Sequence, residues 1–136
     1  MKVIKLLRRC QRGAAAIEFA IAVPVLTVCI FGIFQVGLLY EANAGMQHAL
    51  GEGARLASLY DRTTTTHVAS DTAITDRMTS QLFGRNGGTF VVAAPVPGTG
   101  YKTLTITYTR QMSFLFLPGP NVTLTRSKRV YTTVDV

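Results

Sequence analysis

The run FAIAVPVLTVCIFGIFQVGLLY, Phe19 to Tyr40, carries no charged residue over 22 positions. As a helix it would be about 33 Å long, a little more than the roughly 30 Å hydrocarbon core of a bilayer. Leu, Ile, Val and Phe dominate it. Pro24 would break a helix in water, but a membrane helix tolerates it, often with a kink. Gly32 and Gly37 are small enough to let another helix approach closely. With the small residues before it, the run predicts a transmembrane helix over 14–40.

Downstream the pattern stays helical and turns amphipathic. Met46, Ala49, Leu50, Gly53, Ala57 and Tyr60 recur at helical spacing on one face. Glu52 and Arg55 fall on the other side, where residues three apart can pair. One helix is therefore expected from near Ala14 to about Leu59. Its first half suits lipid; its continuation over 41–60 suits a protein core.

Upstream lies a basic tail. Lys2, Lys5, Arg8, Arg9 and Arg12 come before any acid, while the remainder holds nine bases against seven acids. The formal charge of +7 is thus mostly a local patch. Such a patch keeps an N-terminus on the cytoplasmic side of a membrane. No basic stripe interleaved with aromatics follows, so nucleic acid is not expected as a partner. The two cysteines, Cys10 and Cys29, frame no disulfide or metal site. Cys29 reads as a small buried hydrophobe.

Three fates of this N-terminus compete. A secretory signal could be cut after Ala42-Asn43-Ala44, before Gly45, but its apolar stretch would normally be about 7–15 residues. An uncleaved anchor fits the basic flank and the span, yet leaves Glu18 and the alanines beside it unexplained. The third is a short leader cut just ahead of an apolar helix that stays in the product. An acid inside hydrocarbon costs on the order of a few kcal/mol and is usually paired or functional. Gly13 resists helix, which suits the extended backbone a protease needs.

Gly13-Ala14-Ala15-Ala16-Ile17-Glu18-Phe19 resembles the processing site of type IV prepilins and pseudopilins. In those families a membrane aspartyl peptidase cuts after the glycine. The resemblance implies a leader of residues 1–13, Ala14 as the first mature residue, and Glu18 as the fifth. It further implies that Glu18 attracts the amine freed at Ala14, on its own chain or a neighbour's, and so sets register during assembly. The longer segment from Arg12 to Ser58 resembles TadE-like proteins, pseudopilins of the tight-adherence (Flp) pilus machinery. Glu18-Phe19-Ala20, Pro24, Gly32, Gly37, Tyr40 and Glu52-Gly53-Ala54-Arg55 carry that likeness. It implies a minor pilin supporting adhesive pili, with the prepilin peptidase, other pilins, Tad secretion components and inner-membrane lipid as partners. The implied location is the bacterial inner membrane, N-terminus cytoplasmic and C-terminal domain periplasmic. One departure is Ala14, where many pilins start with an aromatic residue.

The rest, 61–136, is expected to form a small periplasmic domain. Asp61 to Thr66 reads as a loop and His67 to Phe83 as a short helix. Gly84-Arg85-Asn86-Gly87-Gly88 is a breaker. Three strand patterns follow: TFVVAAPV; KTLTITYTRQMSFLF, alternating Leu104, Ile106 and Tyr108 with threonines; and NVTLTRSKRVYTTVDV, with Val122, Leu124 and Val130. PVPGTGY and LPGPN supply turns. The expected fold is α+β: a long N-terminal helix packed on a small three-stranded antiparallel sheet, with a short second helix. A core of about 75 residues is thin, so the amphipathic helix half belongs to it.

No catalytic set, metal set or cofactor motif is found, so no enzyme is expected. His48 and His67 read as surface residues. Arg126, Lys128 and Arg129 read as a solvated strand edge that discourages open pairing. The sequon at Asn121-Val122-Thr123 reads as coincidence. The competing functional reading is an uncleaved single-pass anchor carrying a periplasmic binding or sensor domain.

Overall fold

The computed structural model describes residues 11–59, 69–114 and 117–131. Helix α1, Gln11–Ser58, runs 48 residues without a break, about 72 Å at 1.5 Å per residue. It passes straight through Pro24, whose ring nitrogen has no proton for the carbonyl of Ala20. One turn on, Thr27 Oγ1 donates to the carbonyl of Val23 at 2.8 Å. No residue in the most apolar part of α1 is buried by the rest of the chain.

The second half of α1 is one side of the core. Ala42, Met46, Ala49, Leu50, Ala54 and Ala57 are buried there with Leu104, Ile106, Tyr108 and Val130 of the sheet. The predicted face is the one that packs; Tyr60, its last member, lies outside the described residues. Small side chains on the helix let the sheet come close. Gly45 likewise admits the chain at Phe83, ahead of the sheet, since a Cβ there would run into the Phe83 backbone carbonyl.

Helix α2, Asp71–Ser80, is shorter than the 67–83 expected. Ser70 stops it at the front: its backbone is extended and its hydroxyl accepts from the Ala73 N–H at 3.2 Å, the N-cap role that serine fills well. His67 and the 61–66 loop lie outside the described residues. Ile74 and Met78 of α2 reach the core. Beyond it, Gly84 at φ +75° lies against the backbone of Glu41 and Ala42, a conformation costly for any residue with a Cβ.

The sheet is antiparallel and three rows wide, with the first row broken in two. Strands β1, Thr89–Val92, and β2, Val96–Gly98, lie end to end along one edge of β3, Tyr101–Phe114. Val92 faces Ile106 and Val96 faces Thr103, so the first row holds one residue more than β3 between those pairs. That bulge contains Pro95, which cannot donate to a ladder. Strand β4, Leu117–Tyr131, covers the other edge of β3. LPGPN was expected as a turn; Leu117 to Asn121 instead starts β4, with a register shift opposite Gln111 to Ser113. Pro118 and Pro120 are tolerated because β4 is an edge strand bulged at that point. The order helix, short helix, sheet is an α+β arrangement.

One ion pair ties α2 to α1. The Glu52 carboxylate accepts from Arg77 Nη2 at 2.7 Å, with Arg55 Nε at 3.8 Å. The expected Glu52–Arg55 pair exists, but Arg77 from the other helix is the closer partner. Its hydrogen bond holds the Glu52 carboxyl below the usual carboxylate range. A group depressed in the folded state stabilises above its unfolded pKa and loses that contribution as pH falls through the folded one. Acidification from neutral pH should therefore lower the melting temperature less in Glu52→Gln than in the parent. Equal acid-induced shifts in the two proteins would show the contact to be energetically idle.

Candidate functional site

Gly13, Ala14, Glu18 and Phe19 all lie on α1 within its first turns, and all are exposed. A Cβ added at Gly13 would meet nothing within 4 Å. The fold therefore places no steric demand on that position. Gly13 is helical rather than extended, so a protease would have to unwind the helix end to reach its carbonyl. That end is the cheapest place to do so, because the first amides of any helix lack intrahelical partners.

Ala14 and Glu18 are one turn apart on the same face. A free amine at Ala14 would thus come within reach of the Glu18 carboxylate. Glu18 also heads a shallow groove along the helix lined by Ile21, Ala22, Val25, Leu26 and Cys29. Every lining residue except Glu18 is uncharged. Cys29, expected to be buried, is exposed on this groove because no described part of the domain extends to its level. Phe19 is 70% exposed, and Ile17, Ile21, Val25, Leu26, Ile30, Ile33 and Phe34 are likewise uncovered. An apolar surface of this extent on one element is far larger than water tolerates.

The glycines divide by what they touch. Gly32 and Gly37 have nothing within 4 Å of a Cβ position. Gly45 and Gly53 lie against the chain's own domain, Gly53 beside Met78 and Leu104. Gly32 and Gly37 therefore serve no packing within the described residues.

One residue the sequence reading passed over marks where the domain begins. Gln35 is 6% exposed, and its Nε2 donates to the carbonyl of Ser113 on β3 at 2.7 Å. It is the lone amide side chain in the apolar run, which was the available sign. Elsewhere several polar residues have structural partners. His48 is exposed and meets Phe83 edge-on at 5.8 Å. Arg126 Nε donates to Asn43 Oδ1 at 2.8 Å, and the Arg129 guanidinium sits 5.2 Å over the Tyr101 ring. Among the described residues no three His, Cys, Asp or Glu side chains gather as a metal set.

The family model described as TadE-like protein matches residues 13–55. Over this segment the chain is similar to TadE-like proteins. The TadE-like segment covers α1 from the predicted cut to Arg55, so it includes both the uncovered half and most of the face that packs on the sheet. The uncovered half of α1 is consistent with a single-pass membrane anchor. No curated protein and no solved structure matches the chain.

Proposed function

We propose that this chain is a minor pilin, or pseudopilin, of Flp-type tight-adherence pili. The apolar half of α1 anchors it in the inner membrane. The prepilin peptidase removes residues 1–13, and the α+β domain on the periplasmic side engages other pilins or secretion components. The chain is a substrate of that peptidase and not itself an enzyme.

The observation that carries this reading is Glu18 on an otherwise apolar, uncovered helix, one turn from Ala14 and five residues from Gly13. An acid at the edge of hydrocarbon is costly alone. A free α-amine has a pKa near 8, so at neutral pH the new terminus would be largely cationic and could pair with it. Proteolysis after Gly13 also discards the five leading basic residues, leaving that amine as the nearest positive charge at the helix end.

The N-terminal mass of protein from cells with an active peptidase tests the reading. A chain beginning at Ala14 is the expected result. Intact Met1 would favour the uncleaved anchor with a binding or sensor domain, and a start at Gly45 would favour secretion. A second test replaces the acid. Glu18→Val should insert in the membrane at least as well as the parent, since a charge is removed, yet yield far fewer pili in a shear assay. Normal piliation in that strain would show the carboxylate to be dispensable.

A further inference from the structure

We infer that the groove between α1 and β4 binds an anionic phospholipid, with the phosphodiester at Arg126 and the upper part of an acyl chain along Val36, Leu39 and Leu124. The inference rests on the membrane-anchor reading above. Together with Tyr40 and Asn43, these residues line a depression of about 230 Å³. That is less than the roughly 300–1,000 Å³ of a small-molecule pocket. A shallow groove of this size suits a flexible chain lying alongside the protein, not an enclosed ligand.

The groove has an apolar end and a cationic end, and their order follows the bilayer. Val36, Leu39 and Tyr40 belong to the last stretch of the uncharged run that ends at Tyr40. Val36 and Tyr40 are exposed. With Phe19 to Tyr40 filling the hydrocarbon core, Asn43 stands about 4.5 Å beyond it along the helix. That is inside the headgroup layer, which adds roughly 5–7 Å on each side of the core. Tyr40 then sits at the boundary, where tyrosine is enriched in membrane proteins. Arg126 Nε donates to Asn43 Oδ1 at 2.8 Å, so its guanidinium is held at the level of the lipid phosphates.

The charge at that end is uncompensated by the groove. Arg126 Nη1 donates to the Thr125 carbonyl at 3.2 Å. Two guanidinium nitrogens are thus fixed by the chain, while Nη2 has no acceptor among the described residues. A guanidinium held in place with donors to spare matches phosphate oxygens well. No acid lines the groove. Glu41 is turned elsewhere, accepting from Asn86 Nδ2 at 2.8 Å. Lys128 stands on the same side of β4 as Arg126, opposite Leu104 in the register, and adds a second cation. Arg129 does not contribute: it lies opposite Thr103, on the other face, with its guanidinium over Tyr101. A cation at phosphate level above an apolar trough at acyl level fits a lipid better than an acidic peptide, which would leave the trough empty.

The test presents the full chain in detergent with equal amounts of phosphatidylglycerol and phosphatidylcholine, and native mass spectrometry reads the bound lipid. The parent should retain phosphatidylglycerol in preference by about fivefold, the worth of one basic side chain near an anionic surface. Arg126 is exposed, so Arg126→Gln spares the core and should bring the preference close to one. The basic N-terminal tail is present in both proteins, so its own attraction for lipid cancels. Leu124→Gln should lower retention of both lipids severalfold while keeping the preference. A preference unchanged in Arg126→Gln overturns the site. Inorganic phosphate retained as well as the lipid, and equally dependent on Arg126, would reduce it to a free-anion site and overturn the lipid. Flotation with phosphatidylcholine vesicles checks the anchor separately, and parent and Arg126→Gln should float alike. Flotation without any lipid preference overturns the groove and leaves the anchor standing; failure to float overturns both. Loss of pili in Arg126→Gln without a lipid preference in the parent would overturn the lipid in favour of an acidic protein partner.

Discussion

A Gly13→Val chain is expected to insert, fold and remain uncut. Gly13 is exposed, its Cβ position is empty, and its backbone is already helical. Valine there costs the fold nothing; helix propensity favours it over glycine by a few tenths of a kcal/mol. The whole effect should therefore fall on recognition. A protease must take extended backbone from the end of α1, and glycine makes that unwinding easier than a β-branched residue does. A site shaped for glycine must also accept three extra carbons. One misfit methylene is worth about tenfold to two-hundredfold in specificity, so cleavage should slow by about a hundredfold or more. The ratio of precursor to product, read by N-terminal mass, checks it. A cut and piliated Gly13→Val strain would remove the leader assignment, since no loss of stability could be invoked in its place.

The long helix and its two-part character were legible because each half carries its own spacing rule. Phe19 to Tyr40 is apolar on every side, as lipid demands, while Met46, Ala49, Leu50, Gly53 and Ala57 return at helical intervals, and their face is the one that packs. Leu104, Ile106 and Tyr108 were equally readable, because alternation with threonines fixes which side of the strand goes inward. The expectation failed where tertiary contacts outrank local preference. Pro118-Gly119-Pro120 resembles a turn, but an edge strand with a bulge has no use for those missing amide protons. Arg77 as the partner of Glu52 is 25 residues distant in the chain, and no local pattern joins them. Cys29 looked buried because cysteine usually is, yet among the described residues α1 outruns its domain and nothing covers that level. At the candidate site, the spacing of Gly13, Ala14 and Glu18 could be read directly, because a helix turns spacing into position. The place where the domain meets the helix could not, because it depends on how far the hairpin reaches.

Tyr108→Ala should unfold or severely loosen the α+β domain without touching the proposed leader. Tyr108 is fully buried, its ring centroid lies 4.7 Å from that of Phe90, and its hydroxyl donates to the Arg85 carbonyl at 2.9 Å. Gly88 lies so close to the ring that any Cβ would collide with it. Large-to-small changes at such aromatic sites cost about 3–5 kcal/mol, against a total stability of about 5–15 kcal/mol for an ordinary domain. At about 4–8 °C per kcal/mol for a domain of this size, the melting temperature should drop by about 15 °C or more. Tyr108→Phe keeps the ring and loses only the hydrogen bond, about 1 kcal/mol, so it should lie close to the parent. Protease digestion of detergent-solubilised protein separates the three. The leader is more than about 40 Å away along α1, measured from the helix level of Ala42, where the Gly84 loop packs. Tyr108→Ala should accordingly still be cut after Gly13 while failing to support pili, the converse of Gly13→Val, which keeps its domain and loses the cut. If Tyr108→Ala were also uncut, the helix end and the domain would not act separately, and the peptidase would have to sense the folded domain from across the membrane.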